Sequence, residues 1–521
     1  MSRADAVTTV TDFVRVQARE RPDAAAFWFE GRETSFHELD ARSSQCAQAL
    51  LAAGARPGER VATLCKNTDA FPVLWFGAMK ARACAVPVNT RLAPPEIAAI
   101  VRDCGASVLV FGQEFADVVD GMTDECPDLR TLVQFEAGHA ELPGFDAWIG
   151  AFPTVDPRLA ADPTDDMIQL YTSGTTGLPK GVPLTHANCL SQCRIGWELR
   201  YGRWEAGKST LLALPVFHVA GAIVAMLAVS QGARAVMVRE IVPAELTRVI
   251  AEQRVAYAFL TPTVIHMILA VPESADADFS ALEQIFYGAS PISEDLLRRA
   301  MARFPCAFSQ VYGMTEAAGV VTSLAPEAHV PGKLLSCGGA VPGVELRVLD
   351  AAGDDVAPRE VGEVAVRGAG VMRGYWKQPA ATAAAIDGDG WYRTGDAGWL
   401  DGDADLFIYD RVKDMIVSGG ENVYPAEVEN AIDGHPAVAE VAVIGVPDER
   451  WGEAVKAIIV PKQGAPADEA SIIAWARERI GGFKVPKSVD FVAALPRNAT
   501  GKVLRRMLRE RYWAGMGRRV G

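Results

Sequence analysis

The run Tyr171-Thr172-Ser173-Gly174-Thr175-Thr176-Gly177-Leu178-Pro179-Lys180-Gly181 puts three glycines, four Ser or Thr hydroxyls and one lysine within eleven residues. Glycine lets the backbone bend tightly and brings its N–H groups close to a ligand. Such N–H groups, with hydroxyls beside them, form a nest for phosphate oxygens, and a lysine adds a point charge. The run predicts a cradle for a nucleotide triphosphate. It is not a P-loop, which needs Gly directly before Lys and Ser or Thr directly after it; here Pro179 precedes Lys180 and Gly181 follows. A flexible Ser/Thr/Gly linker has a similar composition. Against that reading, β-prone residues (Met167–Leu170) precede the run and a helix is expected after Thr185.

Outward from the run, helical patterns alternate with short apolar strands. Arg60–Cys65, Cys84–Val88 and Ser107–Phe111 read as strands, and Ala70–Ala81 and Ile97–Asp103 as helices. Strand patterns return at Leu211–Leu214, Ala235–Val238, Ala256–Leu260 and Gln284–Tyr287. This alternation predicts βαβ units on parallel sheets. From about Pro342 to Tyr409, short strands broken by Gly and Asp turns predict a smaller, more antiparallel unit. A boundary falls near Asp410-Arg411. Beyond it, helices at Glu427–Ile432 and Ser471–Ile480 and strands at Val438–Gly445 and Ala454–Val460 predict a compact α+β module. The expected division is 1–410 and 411–521. Met1 to Phe27 reads as an amphipathic helix of mixed charge, without the pattern of a signal peptide.

Half of the 521 residues are apolar and the net charge is −14. That balance argues against nucleic acid or an anionic membrane as the main partner. No apolar run reaches the ~18 residues a membrane span requires. The nine cysteines are odd in number, scattered, and form no C-x-x-C pair. Buried thiols in a reducing cytoplasm fit this usage better than disulfides or zinc.

Four further strings carry chemistry. Val311-Tyr312-Gly313-Met314-Thr315-Glu316 joins an aromatic, a turn glycine, a hydroxyl and a carboxylate. The ring can stack on a base and the carboxylate can hold Mg2+. Trp391-Tyr392-Arg393-Thr394-Gly395-Asp396 places a carboxylate after a tight turn, suited to ribose hydroxyls. Asp410-Arg411-Val412-Lys413-Asp414 pairs charges at the boundary, and Pro496-Arg497-Asn498-Ala499-Thr500-Gly501-Lys502 presents a lysine on a loop. Each alone has an ordinary explanation as a loop glycine, a helix cap, a surface ion pair or a solvated lysine.

In this order, and together with the glycine-rich run, the strings resemble the adenylate-forming superfamily of acyl-CoA synthetases, peptide-synthetase adenylation domains and luciferases. The resemblance runs from Pro57-Gly58-Glu59-Arg60 to Lys502. It implies an α/β fold: a large N-terminal portion of two βαβ-rich subdomains plus a β subdomain, and a small mobile α+β C-terminal domain. It implies that a carboxylate attacks the α-phosphate of Mg-ATP, and that a thiol then displaces AMP. By the same resemblance Thr172, Ser173, Gly174, Thr175, Thr176, Gly177 and Lys180 wrap the β- and γ-phosphates. Thr315 contacts the α-phosphate and Glu316 the Mg2+. Gly288, Ala289, Gln310 and Tyr312 surround adenine, while Asp396, Ile408 and Arg411 hold the nucleoside. Lys502 bridges carboxylate and α-phosphate, and Lys413 occupies the hinge. Such a site suits the reaction, because two anions meet where cations and amide donors are needed.

The resemblance also bears on the acceptor. His218 stands where amino-acid-activating relatives carry Asp, which argues against an amino acid and places His218 beside the acyl carbon. Gly419 and Gly420 match the thiol tunnel, and Trp451 and Phe483 match aromatics that flank the CoA adenine. Ala220, Gly221, Ile265, Tyr287, Gly288 and Ala289 belong to segments that line acyl pockets, and most are small or apolar. Gln284 stands where a malonyl-type ligase has Arg, which disfavours a dicarboxylate. The expected activity is an ATP-dependent acyl-CoA ligase for an apolar monocarboxylate: medium-chain, branched, alicyclic or aryl. An acyl-AMP ligase serving a carrier protein or another acceptor is the alternative. A non-catalytic nucleotide-binding protein on this fold is expected to have lost Lys502 or Glu316, and both are present. A homodimer is compatible with the sequence.

Overall fold

The computed structural model describes residues 7–136, 142–172, 179–198, 204–411, 414–418, 421–448, 450–497 and 501–513. Among them the chain builds four sheets. The first runs in the spatial order Thr131–Gln134, Ala106–Phe111, Arg60–Leu64, Cys84–Pro87, Asp166–Thr172 and Lys180–Thr185. Its first five strands are parallel, and the last pairs antiparallel with Asp166–Thr172. The glycine-rich run therefore joins two antiparallel strands, with Thr172 opposite Lys180. A P-loop would feed a helix instead. Pro183 is tolerated in the second of these strands because that strand is the sheet edge.

The second sheet has nine strands. At its centre Val255–Leu260, Gln284–Gly288 and Ala307–Met314 are parallel neighbours. Buried Val, Ile and Phe residues cover them, as parallel strands flanked by helices require. The N-terminal segment differs from the helix over Met1–Phe27 that its sequence predicts. The helix spans only Thr11–Glu20, and Ala25–Phe29 is a strand paired with Arg234–Met237. Pro22 cannot continue a helix, and the aromatic run Phe27-Trp28-Phe29 favours a strand.

The third sheet is antiparallel: Val344–Leu349, Gly362–Gly368, Tyr392–Leu400 and Leu406–Arg411. The fourth uses only residues from Ile416 onward. Its long hairpin, Val438–Asp448 with Gly452–Pro461, packs against the helices Pro425–Asp433 and Glu469–Arg477 through Val428, Ile432, Val443 and Ile472. Among the described residues no helix is long and apolar enough to cross a membrane.

Candidate active site

The parallel strands Gln284–Gly288 and Ala307–Met314 end at one cavity of about 450 Å3. The carboxyl ends of parallel strands are the usual binding edge of such sheets. Ala289, Gln310, Tyr312, Asp396, Ile408 and Lys502, all singled out from the sequence, line this one space. Gly288 borders it and must be glycine, because a Cβ there would lie 2.0 Å from Val311 O. Ala289 follows at φ +65°, in the left-handed region. Non-glycine residues held in that region cost of order 1 kcal/mol and cluster at ligand clamps.

Two walls meet at Tyr312 and Asp396. The Tyr312 hydroxyl donates to Asp396 Oδ2 at 2.6 Å. Asp396 is buried on Tyr392–Leu400, and its backbone stands opposite Arg411 in the antiparallel register. Gln310 Nε2 points to Cys337 Sγ at 3.5 Å. Its Oε1 is buried without a hydrogen-bond partner among the described residues, so it is free to accept from a ligand amine.

Thr315 opens the short turn Thr315–Ala317, which presents Glu316. Thr172 Oγ1 and the Tyr375 hydroxyl reach Glu316 Oε1 at 3.4 and 3.2 Å. Lys180 Nζ lies 4.6 Å from the centre of the Tyr375 ring. Thr172 and Lys180, at the two ends of the glycine-rich run, are thus neighbours of the Glu316–Tyr375 pair. Ser173, Gly174, Thr175, Thr176 and Gly177 lie outside the described residues, as do Lys413, Gly419 and Gly420.

Lys502 and Arg505 reach the cavity from the C-terminal part. Arg505 Nη2 is held by Glu429 Oε2 at 2.8 Å. The two aromatics expected at a CoA adenine lie apart from this cavity. Trp451 and Phe483 are 37% and 42% exposed and stand away from the cavity on the C-terminal part. Strand pairing nonetheless sets Trp451 beside the end of the strands Ile416–Ser418 and Glu421–Val423, because Ser418 opposes both Glu421 and Gly452. His218 occupies the N-cap position of the helix Val219–Gln231 without a side-chain capping bond, and its ring packs on Phe217 with centroids 4.7 Å apart. Its Nε2 is buried and unpartnered among the described residues, and burial, reinforced by the Arg91 charge, pushes its pKa down to about 4. His218 is therefore neutral at pH 7 and does not line the described cavity.

Gln284 lies away from the acid site. Gln284 stands at the far end of its strand from Gly288 and bonds Ser309 Oγ at 2.8 Å, so it says nothing about the acid. Ile265 is fully buried in the core with Tyr287. Tyr375 was missed, although the run Gly374-Tyr375-Trp376 signals a turn followed by aromatics. Lys333 was also missed. Its ammonium bonds Asp401, Asp403 and Asp405 at 2.5, 3.0 and 2.6 Å, and so ties the cavity segment Leu334–Cys337 to the turn between two strands of the third sheet. No local pattern links a lysine to carboxylates that far along the chain.

The family described as "AMP-binding enzyme" matches residues 14–376, and "AMP-binding enzyme C-terminal domain" matches 427–502. Over 518 residues the chain is 38% identical to the fatty acid–[acyl-carrier-protein] ligase ScoC of Streptomyces coeruleorubidus, covering 98% of each. It is 38% identical to a feruloyl-CoA synthase of an Amycolatopsis species, over 95% of this chain and 97% of that one. ATP-bound MatB from Rhodopseudomonas palustris superposes with a TM-score of 0.89 at 29% identity, covering 97% of this chain and 99% of that one. With its cavity between a parallel-sheet edge and a lysine loop of the C-terminal part, the chain belongs to the AMP-binding enzymes, the adenylate-forming superfamily that contains the acyl- and aryl-CoA ligases.

Proposed function

We propose that this chain is an ATP-dependent acyl-CoA ligase that activates an apolar monocarboxylic acid through an acyl-adenylate. The carrying observation is that Lys502 lines the same cavity as Tyr312 and Asp396. The nucleoside stacks against Tyr312 and Ala289, Gln310 Oε1 accepts from the adenine amine, and Asp396 accepts from ribose hydroxyls. Thr172 to Lys180 take the β- and γ-phosphates. The acid's carboxylate attacks the α-phosphorus, the bond to the bridging oxygen breaks, and pyrophosphate leaves. Lys502 offsets the negative charge shared between carboxylate and α-phosphate. In the second half the CoA thiol loses its proton and attacks the acyl carbon, and AMP leaves with the C–O bonding pair.

The residues around Glu316 fit Mg2+. One carboxylate and the Thr172 and Tyr375 hydroxyls form a hard-oxygen set, of the kind that holds Mg2+ together with phosphate oxygens. Bound there, the ion would screen the phosphate charge. Residues 1–410 would form the body and 411–521 a mobile domain turning about Lys413. Rotation would carry Lys502 out of the cavity and bring Gly419, Gly420, Trp451 and Phe483 to the acyl carbon. His218 would then lie beside the acyl carbon as a neutral ring. The two curated relatives named above act, by their names, on fatty and ferulic acids, which supports an apolar acid. Free, mostly buried cysteines fit the proposed cytoplasmic location.

A second reading keeps adenylation and passes the acyl group to a carrier protein. The likeness to ScoC over 98% of the chain favours it. One assay separates the two: purified protein, Mg-ATP and a panel of carboxylic acids, with AMP followed with and without CoA. CoA-dependent AMP release with one acid class supports the ligase. Pyrophosphate exchange without CoA-dependent turnover supports the carrier reading, and no adenylation with any acid overturns both.

A further inference from the structure

We infer that Thr263 is a positioning residue for Lys502, a latch that holds the lysine loop against the body while the acyl-adenylate forms. This inference rests on the adenylate-forming reading above. Thr263 lies in the first turn of the helix Pro262–Ala270, which starts at the carboxyl end of the strand Val255–Leu260. Thr261 caps that helix, its hydroxyl accepting from Val264 N at 3.3 Å, and Pro262 occupies the first position. The capping is complete without Thr263, whose hydroxyl is left to face the C-terminal part.

That hydroxyl meets the loop of Lys502. Thr263 Oγ1 donates to Gly501 O at 3.3 Å and accepts from Arg497 Nη1 at 3.5 Å. Arg497 Nη1 also donates to Gly501 O at 2.6 Å, and its Nη2 bonds Glu440 at 2.7 Å. Arg497 and Glu440 both belong to the C-terminal part, so they brace the loop whichever way that part turns. Thr263 belongs to the body and can engage only in this pose. The fit is close: Gly501 has φ +83°, and a Cβ there would lie 3.0–3.2 Å from three Thr263 side-chain atoms. One turn along, His266 senses Glu440, Asp433, Arg299 and Arg497, and burial lowers its pKa, so the same helix face abuts the C-terminal part.

The contact is made at the residue before Lys502, and reacting groups tolerate little misplacement: about 1 Å can cost on the order of a hundredfold in rate. Losing one neutral hydrogen bond shifts a two-state equilibrium about fivefold to tenfold. The latch therefore acts on adenylation. Once the C-terminal part has turned, Thr263 no longer touches the loop, and thioester formation is indifferent to it.

The test compares full-length wild type, Thr263→Val and Thr263→Ser in three measurements. These are acid-dependent exchange of pyrophosphate into ATP, thioester formation from supplied acyl-adenylate and CoA, and the distance distribution between spin labels at the exposed Met301 and Met507. Expected for Thr263→Val are an about tenfold slower exchange, thioester formation within about twofold of wild type, and a smaller population at the wild-type distance. Thr263→Ser restores exchange and distance. Exchange at the wild-type rate in Thr263→Val, or an equal loss of both half-reactions, overturns the latch. If wild type adenylates no acid, the functional reading fails separately. The label distances then decide the latch: loss of the pose in Thr263→Val upholds it, and an unchanged distribution overturns it.

Discussion

The Tyr312 hydroxyl, on a strand of the nine-stranded sheet, donates at 2.6 Å to Asp396 Oδ2 on a strand of the antiparallel sheet, and so closes the cavity between the two. Tyr312→Phe keeps the ring and removes this charge-assisted bond. The ATP KM is expected to rise about fivefold to tenfold with kcat little changed, because Asp396 loses its orientation. Stability should fall by about 1–2 kcal/mol, since the carboxylate is buried. Steady-state kinetics at varied ATP and urea unfolding check both numbers.

Lys502→Ala removes the cation that reaches the cavity from the C-terminal part. Adenylation is expected to fall at least about a hundredfold, in the range of losing one transition-state charge contact. Thioester formation from supplied acyl-adenylate should persist. Single-turnover measurements of each half-reaction separate the outcomes, and equal loss of both removes the assigned role.

Glu316 gathers the hydroxyls of Thr172 and Tyr375 on one oxygen. Glu316→Gln preserves shape and neutralises the charge. The Mg2+ concentration for half-maximal adenylation is expected to rise about tenfold or more, because Mg2+ prefers charged oxygen ligands. A rate profile against Mg2+ at fixed ATP is the check, and an unshifted profile would move the metal elsewhere.

Trp451 is exposed and carries Arg450 on its face, 4.6 Å from the ring centre. Stacking of a base on an aromatic ring is worth about 1–3 kcal/mol. Trp451→Ala should therefore raise the CoA KM at least fivefold or so while leaving the ATP KM unchanged. A rise in both constants would contradict the separation of the two sites.

His186 is buried, accepts from Val10 N at 3.3 Å through Nδ1, and has its pKa pushed by burial from 6.5 down to about 4, against the opposing pull of Asp165 and Asp12. Between these values the unfolded chain binds a proton that the folded chain refuses. Stability from this group is complete above about pH 6.5 and is lost as pH falls towards 4. The full loss is on the order of 3 kcal/mol. Urea unfolding at pH 7, 6 and 5 should show the decline, and His186→Asn should flatten it.

Most elements were legible because their signals are local. The strands from Arg60 to Phe111 and the helix Ala70–Lys80 followed from apolar spacing. The four-stranded antiparallel unit followed from its Gly and Asp turns. The strand Lys180–Thr185 carries no clear local signal, because Pro183 argues against a strand and only its edge position makes it acceptable. The strand Ala25–Phe29 falls within a stretch whose local pattern predicts helix, because its partner Arg234–Met237 lies about two hundred residues away and pairing with it decides the matter.

By itself the sequence determined the chemistry-bearing strings, their order and the cation, carboxylate and hydroxyl types they supply. Those are properties of short runs of chain, set by backbone freedom and side-chain chemistry. Only the tertiary structure decided which strings share a space. It gathered Tyr312, Asp396 and Lys502 around one cavity, left Trp451 and Phe483 outside it, and turned Gln284 to the wrong end of its strand. It also drew in Tyr375, Lys333 and Thr263, whose partners are distant in sequence. Such contacts depend on sheet register and on how the C-terminal part docks, and neither is written in any local pattern.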